Sequence, residues 1–514
     1  MNYGLRYEHY GVQHNDNQSL DSNLYYGSGS NIFEQVANGQ VLIAPQSPVG
    51  QLWSPRWGTV APRVGFAYDL LGNGHDSIRG GFGISYERNF GNVTFNTIQN
   101  PPAYGTLQVY NTPVTTSNLG PLGTPGPAVA LPPVELRNVN PNIDVAQTQF
   151  WSLDFQHQLA ASSVFDVSYS GAHGVHLYDI TAGNAIGGAQ AYLGDTPSFT
   201  GVCSDTISPT GACLTRNNPQ YAAVNIRGSG GQSSYHALNV KYQVQNLHST
   251  GLGIIANYTW SHSLDDLSST FADSSQGGSG YIGNLGYLDP LHPMLDWASS
   301  DFDVPNRIVV SPIWQTPWLK HGHNLLAEVG SGWSVSGIFT ARSGTPFSIY
   351  DFTYNVNGYS GVPRVVPATP VTQFKPGAAT NVGPNQFQVM SIPGANDLAP
   401  FNATTGIDDF GPFPANMTSR NEFRGPGAWN TDAAAAKRFR FTEHTDLEFR
   451  VEAFDLFNHH NLYVNEADLS VSNTPGTIGA PLPVIAEKGG LNSIALGGNH
   501  DERRFGQFSL RLDF

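Results

Sequence analysis

The sequence predicts an all-β fold: an antiparallel transmembrane β-barrel, incomplete, built from about twelve amphipathic strands with short turns at one end and long loops at the other. Three observations predict it. Apolar and polar residues alternate strictly in many short segments. Charged residues are scarce. Short and long connections follow one another in turn. The clearest segment closes the chain: Phe508, Leu510, Leu512 and Phe514 share one parity, and Gln507, Ser509, Arg511 and Asp513 the other. Side chains of a strand alternate between its two faces, so period 2 gives one apolar and one polar face.

The other strands follow the same rule. Over 77–88, Ile78, Phe82, Ile84 and Tyr86 alternate with Ser77, Arg79, Ser85 and Glu87. Over 149–159, Trp151, Leu153 and Phe155 alternate with Ser152, Asp154 and Gln156. Over 164–170, Phe165, Val167 and Tyr169 alternate with Asp166, Ser168 and Ser170. Over 238–245, Leu238, Val240, Tyr242 and Val244 alternate with Asn239, Lys241, Gln243 and Gln245. Over 446–453, Leu447, Phe449, Val451 and Ala453 alternate with Asp446, Glu448, Arg450 and Glu452. Further strands are expected at 2–12, 58–70, 251–262, 305–318, 325–344 and 430–441. The Ala433–Ala436 run is the one helix-like patch, and it leads back into alternation.

Short links are expected near Gly72–His75, Ala160–Ser162, Leu247–Thr250, Lys320–His323 and Thr442–His444. Between them lie long links at about 13–57, 90–146, 172–232, 263–303, 346–428 and 459–502. Barrels of the outer membrane have short periplasmic turns and long extracellular loops, and a propeller or jelly roll does not sort its links in this way. The short links are therefore expected on the periplasmic side and the long ones outside.

Composition agrees. Charged residues make up 12% of the 514, against 57 Gly and 35 Pro; a soluble domain carries about 25% charge. Such a chain suits a wall with one lipid-facing side, and long irregular loops. The net charge of −15 excludes nucleic acid as a partner, because phosphate binding needs clustered Lys and Arg. No apolar run reaches the roughly 18 residues of a transmembrane helix. Met1 is followed directly by strand-like sequence without a secretory signal, so the chain is expected to begin within a longer one. Cys203 and Cys213 lie close together in a Gly/Pro/Thr-rich loop. They predict a local disulfide in an oxidising compartment, with two unpaired thiols as the alternative.

The parity opposite the apolar one carries Arg79, Glu87, Asp154, Asp166, Lys241, Glu448, Arg450, Glu452, Arg511 and Asp513. These are the candidate lumen-facing charges, serving to solvate the lumen or to hold a plug by ion pairs. Tyr258 and Trp260 at one level, and Trp314 and Trp318 at the other, are candidates for interfacial aromatic girdles, or else ordinary packing. His321/His323 and His459/His460 lack a spaced third metal ligand. Asp265, Asp266 and Asp273 sit in a Ser/Gly-rich segment without the spacing of a calcium loop, and are expected to be solvated. No phosphate loop or nucleophile elbow occurs. No enzymatic activity, cofactor or metal is expected.

Taken in order, several motifs resemble the barrel of Oar-like TonB-dependent receptors, which carry a carboxypeptidase-regulatory-like domain. They are Asn2-Tyr3-Gly4-Leu5-Arg6-Tyr7-Glu8, Ala61-Pro62-Arg63-Val64-Gly65-Phe66, Ile78-Arg79-Gly80-Gly81-Phe82-Gly83, Asn257-Tyr258-Thr259-Trp260-Ser261-His262-Ser263, Pro305-Asn306-Arg307, Ser343-Gly344-Thr345-Pro346-Phe347 and Arg450-Val451-Glu452-Ala453-Phe454-Asp455-Leu456-Phe457-Asn458, with the terminal strand. The resemblance implies that residues 1–514 are the C-terminal portion of a receptor barrel whose signal peptide, regulatory-like domain and plug have no counterpart here. It implies a place in the cell outer membrane of a Gram-negative-type bacterium, among its lipid. Energy would come from a TonB-type coupler acting on the missing plug, and the ligand would be a large scarce extracellular one: siderophore, glycan or peptide. Phe508, Leu510, Leu512 and Phe514 resemble the C-terminal signal read by the barrel assembly machinery. A passive porin-like or adhesive barrel, or a secreted all-β carbohydrate-binding protein, are the alternatives.

Overall fold

A computed structural model of the chain describes residues 1–89, 91, 97, 100–104, 133–184, 199–200, 213–214, 216–268, 286–316, 330–351, 364–367, 378–392, 395–396, 416–441, 445–464, 470–471, 482–488 and 504–514. Twelve strands form one antiparallel path, each paired to the next in sequence: β1 Asn2–Tyr7, β2 Val60–Asp69, β3 Asp76–Glu87, β4 Ala146–Ala160, β5 Ser163–Ala182, β6 Tyr221–Val244, β7 Leu252–Asp265, β8 Asn306–Gln315, β9 Trp333–Arg342, β10 Ala428–Arg440, β11 Asp446–Phe454 and β12 Phe505–Asp513. Each predicted strand has its counterpart. The Ala433–Ala436 run lies within β10, where cross-strand pairing overrides alanine's helical preference. Among the described residues the sheet is open: β1 pairs only with β2 and β12 only with β11.

Register carries the alternation across the sheet. Tyr68 lies opposite Ile78, Ile78 opposite Phe155, Phe155 opposite Val167, and the row continues through Val240, Tyr258, Ile308 and Ala341 to Trp429. At the far edge Phe449 meets Leu510 and Val451 meets Phe508. A shift of one residue in any pair would turn its strand's apolar side chains to the other face. The turns fix that register. Between β2 and β3, Gly72 and Gly74 take positive φ (68° and 77°), and their N–H groups donate to the two carboxylate oxygens of Asp69 at 3.0 and 2.8 Å. The β4–β5 link is residues 161–162 alone.

Two features depart from expectation. β5 runs to Ala182 and β6 starts at Tyr221, well beyond the predicted 164–170 and 238–245. At about 3.3 Å per residue the 20 residues of β5 reach roughly 66 Å, whereas a tilted membrane strand needs about 9–11 residues. The upper half of this hairpin therefore stands clear of a bilayer. Its burial shows the change: residues 222–228 are buried consecutively, on both faces. Val134–Val139 pairs parallel to it on one side.

Secondly, where they are described, the long links are folded rather than irregular. The 8–59 link contains the hairpin Ser22–Tyr25/Gln40–Ile43 and the helix Ile32–Ala37, whose Glu34 N–H donates to the Asn31 side chain at 3.0 Å. Leu24, Val36, Leu136, Val224 and Ile226 form one core shared by two links and the β6 tip. Ala44, Leu52, Trp53, Val139 and Ile143 form a second. Phe347, Ile349, Val365, Val389, Met390, Phe423, Val464, Val484 and Ala486 form a third. Buried asparagines weld these links by imitating backbone. Asn23 donates to the Val139 carbonyl at 2.7 Å and accepts from its N–H at 2.9 Å. Asn184 donates to the Ala222 carbonyl at 2.7 Å and accepts from the Asn218 N–H at 2.8 Å. The result is a packed crown at the long-link end.

The two faces make a paired prediction. Leu238→Arg, on the apolar face, should lower unfolding free energy in liposomes by about 2–4 kcal/mol if it sits near the bilayer midplane. The adjacent Asn239→Arg, on the polar face, should cost well under about 1 kcal/mol. Equal losses in urea titrations of the two variants would refute the assignment of faces.

Candidate functional site: the polar face and the crown clasp

The predicted polar-face charges fall on one side of the sheet, opposite the apolar row, and gather in two patches. In the first, Arg79 lies across from Asp154, and Asp166 across from Gln156 and Lys241. Arg79 donates to the Gln156 side chain at 2.6 Å. Glu87 stands apart at the crown end of β3, opposite Ala146. In the second patch Arg438 meets Glu448 at 3.1 Å, Arg440 meets Asp446 at 3.3 Å, Arg450 meets Glu452 at 2.8 Å and Arg511 meets Asp513 at 2.8 Å. Solvent-exposed pairs of this kind contribute only about 0–1 kcal/mol each; their effect is to keep the face wet. The face is not wholly polar, since Phe150, Ile255, Ile313 and Ile338 share its parity. Between the patches run Asn239, Asn257, Thr259, Arg307, Thr340 and Arg342.

The aromatic candidates occupy two levels of the apolar face. Tyr258 and Trp260 lie toward the crown, and the Tyr258 hydroxyl donates to Asn306 at 2.7 Å. Trp314 lies at the short-link end, its indole N–H donating to the Thr250 carbonyl at 3.1 Å. Trp318, His321, His323, Asp273 and Cys203 lie outside the described residues, and so does a Cys203–Cys213 bridge; the Cys213 backbone belongs to a two-residue strand paired with Phe199–Thr200. His459 stacks on Trp429 with ring centres 4.0 Å apart. Among the described residues no His, Cys, Asp and Glu come together in a group that could hold a metal ion.

Asp265 and Asp266 correct an expectation: both are buried, at 3% and 2% exposure, not solvated. They belong to a clasp between the 266–305 and 343–427 links that sequence reasoning missed. Arg420, 1% exposed, donates to the carbonyl and carboxylate of Asp265, to the Ser268 hydroxyl at 3.0 Å and to the Asp301 carboxylate at 3.2 Å. Arg364 donates to Asp296 at 2.6 Å and to the carbonyls of Thr418 and Leu295. Arg424 donates to Asp303 at 2.7 Å and to the Gly344 carbonyl. No local pattern pairs these partners: more than a hundred positions separate Arg420 from Asp265. The only signal was compositional, arginines in a chain with few of them.

Beside the clasp, above the membrane-spanning part of the hairpin, Asp179 and Asp266 face the Tyr287 hydroxyl. Asp179 accepts from the Gly230 N–H at 3.1 Å, and Asp266 from the Gln232 N–H at 2.9 Å. Burial, then the neighbouring carboxylate, pushes Asp179 up to about 7 against the pull of the Gly230 N–H. Burial also lifts Asp266 to about 6, with the adjacent Asp265 adding to it and Arg420 opposing. Tyr287 is raised by burial and by these carboxylates.

Two alternating faces, one folded crown and one end of tight turns describe a membrane β-wall, and the family comparison agrees: residues 1–482 match the family described as outer membrane beta barrel domain. The chain belongs to the outer membrane β-barrel family. Its location is accordingly the outer membrane. No curated protein matches it. Among solved structures this outer membrane β-barrel domain is similar to the outer membrane transporter YddB from Escherichia coli (TM-score 0.40, 9% identity, 85% of this chain and 41% of that one). It is also similar to the ferripyoverdine receptor of Pseudomonas aeruginosa (0.38, 11%, 96% and 36%) and to the FrpB iron transporter from Neisseria meningitidis (0.36, 8%, 89% and 40%). The chain thus spans about two fifths of the length of these transporters.

Two outcomes follow for the crown. Arg420→Ala leaves Asp265 buried without its counter-ion and should weaken the clasp by about 3–5 kcal/mol, read as faster protease nicking in the 343–427 link. Arg420→Lys should not restore it, because an ammonium lacks the fork that reaches several acceptors. The second outcome is a pH dependence. Asp179 and Asp266 titrate higher in the folded crown than an ordinary carboxylate near 4, so folding binds protons. The stability this gives is fully present below pH about 4 and is lost as pH rises through about 6 and then about 7. Protease resistance of the crown should therefore fall between pH 5 and pH 8, roughly, and Asp179→Asn should flatten the curve. A curve unchanged by that substitution would assign the dependence to other groups.

Proposed function

We propose that this outer membrane β-barrel domain is part of a TonB-dependent receptor that takes up a large, scarce extracellular ligand: a siderophore, a glycan or a peptide. The observation that carries the reading is the asymmetry of the wall. A bilayer-length apolar face backs a polar face, and the folded mass of the described links collects at one end. That end suits capture outside the cell, and the polar face suits passage through a lumen. The ordered Oar-like motifs support the same reading, with the short turns facing the periplasm and the apolar face meeting lipid. On it, the charged patches Arg79/Asp154/Asp166/Lys241 and Glu448/Arg450/Glu452/Arg511 contact a plug or lumen water, and an inner-membrane coupler supplies the energy. The terminal Phe508, Leu510, Leu512 and Phe514 serve as the assembly signal, and Cys203 and Cys213 as a disulfide in the crown. No step in this scheme needs an enzymatic activity.

Deletion of the gene, followed by growth on a ferric siderophore, an oligosaccharide or a peptide as limiting nutrient, tests it. Loss of growth on one class, reproduced in the parent strain by a protonophore at sublethal dose, is the expected result. Uptake that depends on the gene but not on the protonophore would indicate a passive porin-like barrel. Undiminished growth on all three would overturn uptake as the function.

A further inference from the structure

Between the two charge patches, where the polar face meets the crown, lies an arrangement that neither the family match nor those patches explain. Arg307 on β8 and Arg342 on β9 are directly opposite in register. Opposed residues on neighbouring antiparallel strands have Cβ atoms about 4.5–5.5 Å apart, and like charges there are destabilising. Elsewhere on this face the arginines of β10 to β12 meet carboxylates. Arg307 and Arg342 have no ion pair or side-chain hydrogen bond among the described residues. Asp303, four residues before Arg307, is engaged with Arg424 and the Ser263 N–H, and Asp432, on the strand beside Arg342, is engaged with the Asp455 N–H. Across β7 the row continues with Thr259, whose hydroxyl donates to Asn239. Diagonal to Arg342 on β10 stands Asn430, whose buried side-chain oxygen position has no partner; an amide turned over would offer its N–H₂ there.

The backbone beneath the two arginines is held firmly. The Ser343 N–H donates to the Asn306 carbonyl at 2.9 Å, and the Asn306 side chain donates to the Ser343 hydroxyl at 3.3 Å. Arg424 of the clasp binds the Gly344 carbonyl at 2.9 Å. Two guanidinium groups set side by side on a held backbone can receive a planar or tetrahedral oxyanion through paired N–H donors. The chain is strongly acidic, at −15 overall, so anion attraction here is a local property of the pair and not of the general field.

We propose that Arg307 and Arg342 form an oxyanion-binding dyad on the polar face, which takes a small anion bearing a carboxylate or phosphate group. The proposal rests on the reading of that face as a water-filled path, and it narrows the ligand class within it. The dyad is a binding station: no bond is made or broken there.

Titration calorimetry of the full chain in detergent micelles tests it, with citrate and inorganic phosphate as probes and glycerol as the neutral control. Binding of citrate, of phosphate or of both, with none for glycerol, is expected; the stronger of the two identifies the group recognised. Arg307→Gln/Arg342→Gln should abolish it, and Arg307→Lys/Arg342→Lys, which keeps the charge without the forks, should weaken it about tenfold. Arg63→Gln, an arginine on the same face distant from the pair, should leave it unchanged. No binding by the wild-type chain, equal binding by the double Gln variant, or equal loss with Arg63→Gln would overturn the dyad. Should the double Gln variant fail to fold, the Lys pair decides: binding as tight as wild type would overturn it. The underlying path is tested separately by Asn257→Cys in a Cys203→Ser/Cys213→Ser background. Labelling by a membrane-impermeant maleimide in liposomes reports a wet face, and its absence removes the transport reading whatever the anion result.

Discussion

The backbone ladder from β1 to β12 is the constraint on which the rest of the structure depends. In a bilayer no water is present to satisfy an N–H or carbonyl, so each strand's polar groups must be met by the next strand. That requirement forces neighbours in sequence to be neighbours in space, joined by turns such as Asp69–Asp76 and Ala160–Ser163. It also locks the register, and register alone turns a set of separate alternating segments into one continuous apolar face and one continuous polar face. The same constraint singles out β1 and β12, each with one edge unpaired among the described residues. Tyr3, Leu5, Phe508 and Leu510 on these edges are among the most exposed apolar side chains of the molecule.

Above the wall the physics changes. At the tip of β6, residues 222–228 are covered on both faces and lose their alternation of burial. There the links obey the rules of a soluble protein: three apolar cores, asparagines that substitute for backbone, and two buried arginines, Arg420 and Arg364, that each meet several acceptors. A buried charge is costly unless its hydrogen bonds are complete. Arg420, Arg364 and Arg424 therefore fix the 343–427 link onto the 266–305 link in one arrangement, and the clasp reaches down through Gly344 to the β8–β9 register. Crown and wall are mechanically continuous at that point, which is also where Arg307 lies opposite Arg342.

The sequence by itself determined the wall. Twelve alternating segments, separated by links that are short and long in turn, leave one topology when every strand must pair with its successor. The faces of Arg79, Lys241, Glu448 and Arg511 follow from parity, because a strand has a period of 2 and no other freedom. Strand ends were less legible. Nothing in local periodicity says that β6 continues upward to Tyr221, since a strand buried on both faces has no alternation to show. Asp265 and Asp266 read as a solvated acidic loop because their partners, Arg420 for the first and Gln232 and Tyr287 for the second, lie outside any local pattern, and a carboxylate's burial is a property of what packs over it. What only the tertiary structure decided is thus the crown, its clasp, and the placing of Arg307 opposite Arg342. These depend on which links meet in space, and the physical reason is that side-chain contacts between distant segments leave no period in the chain.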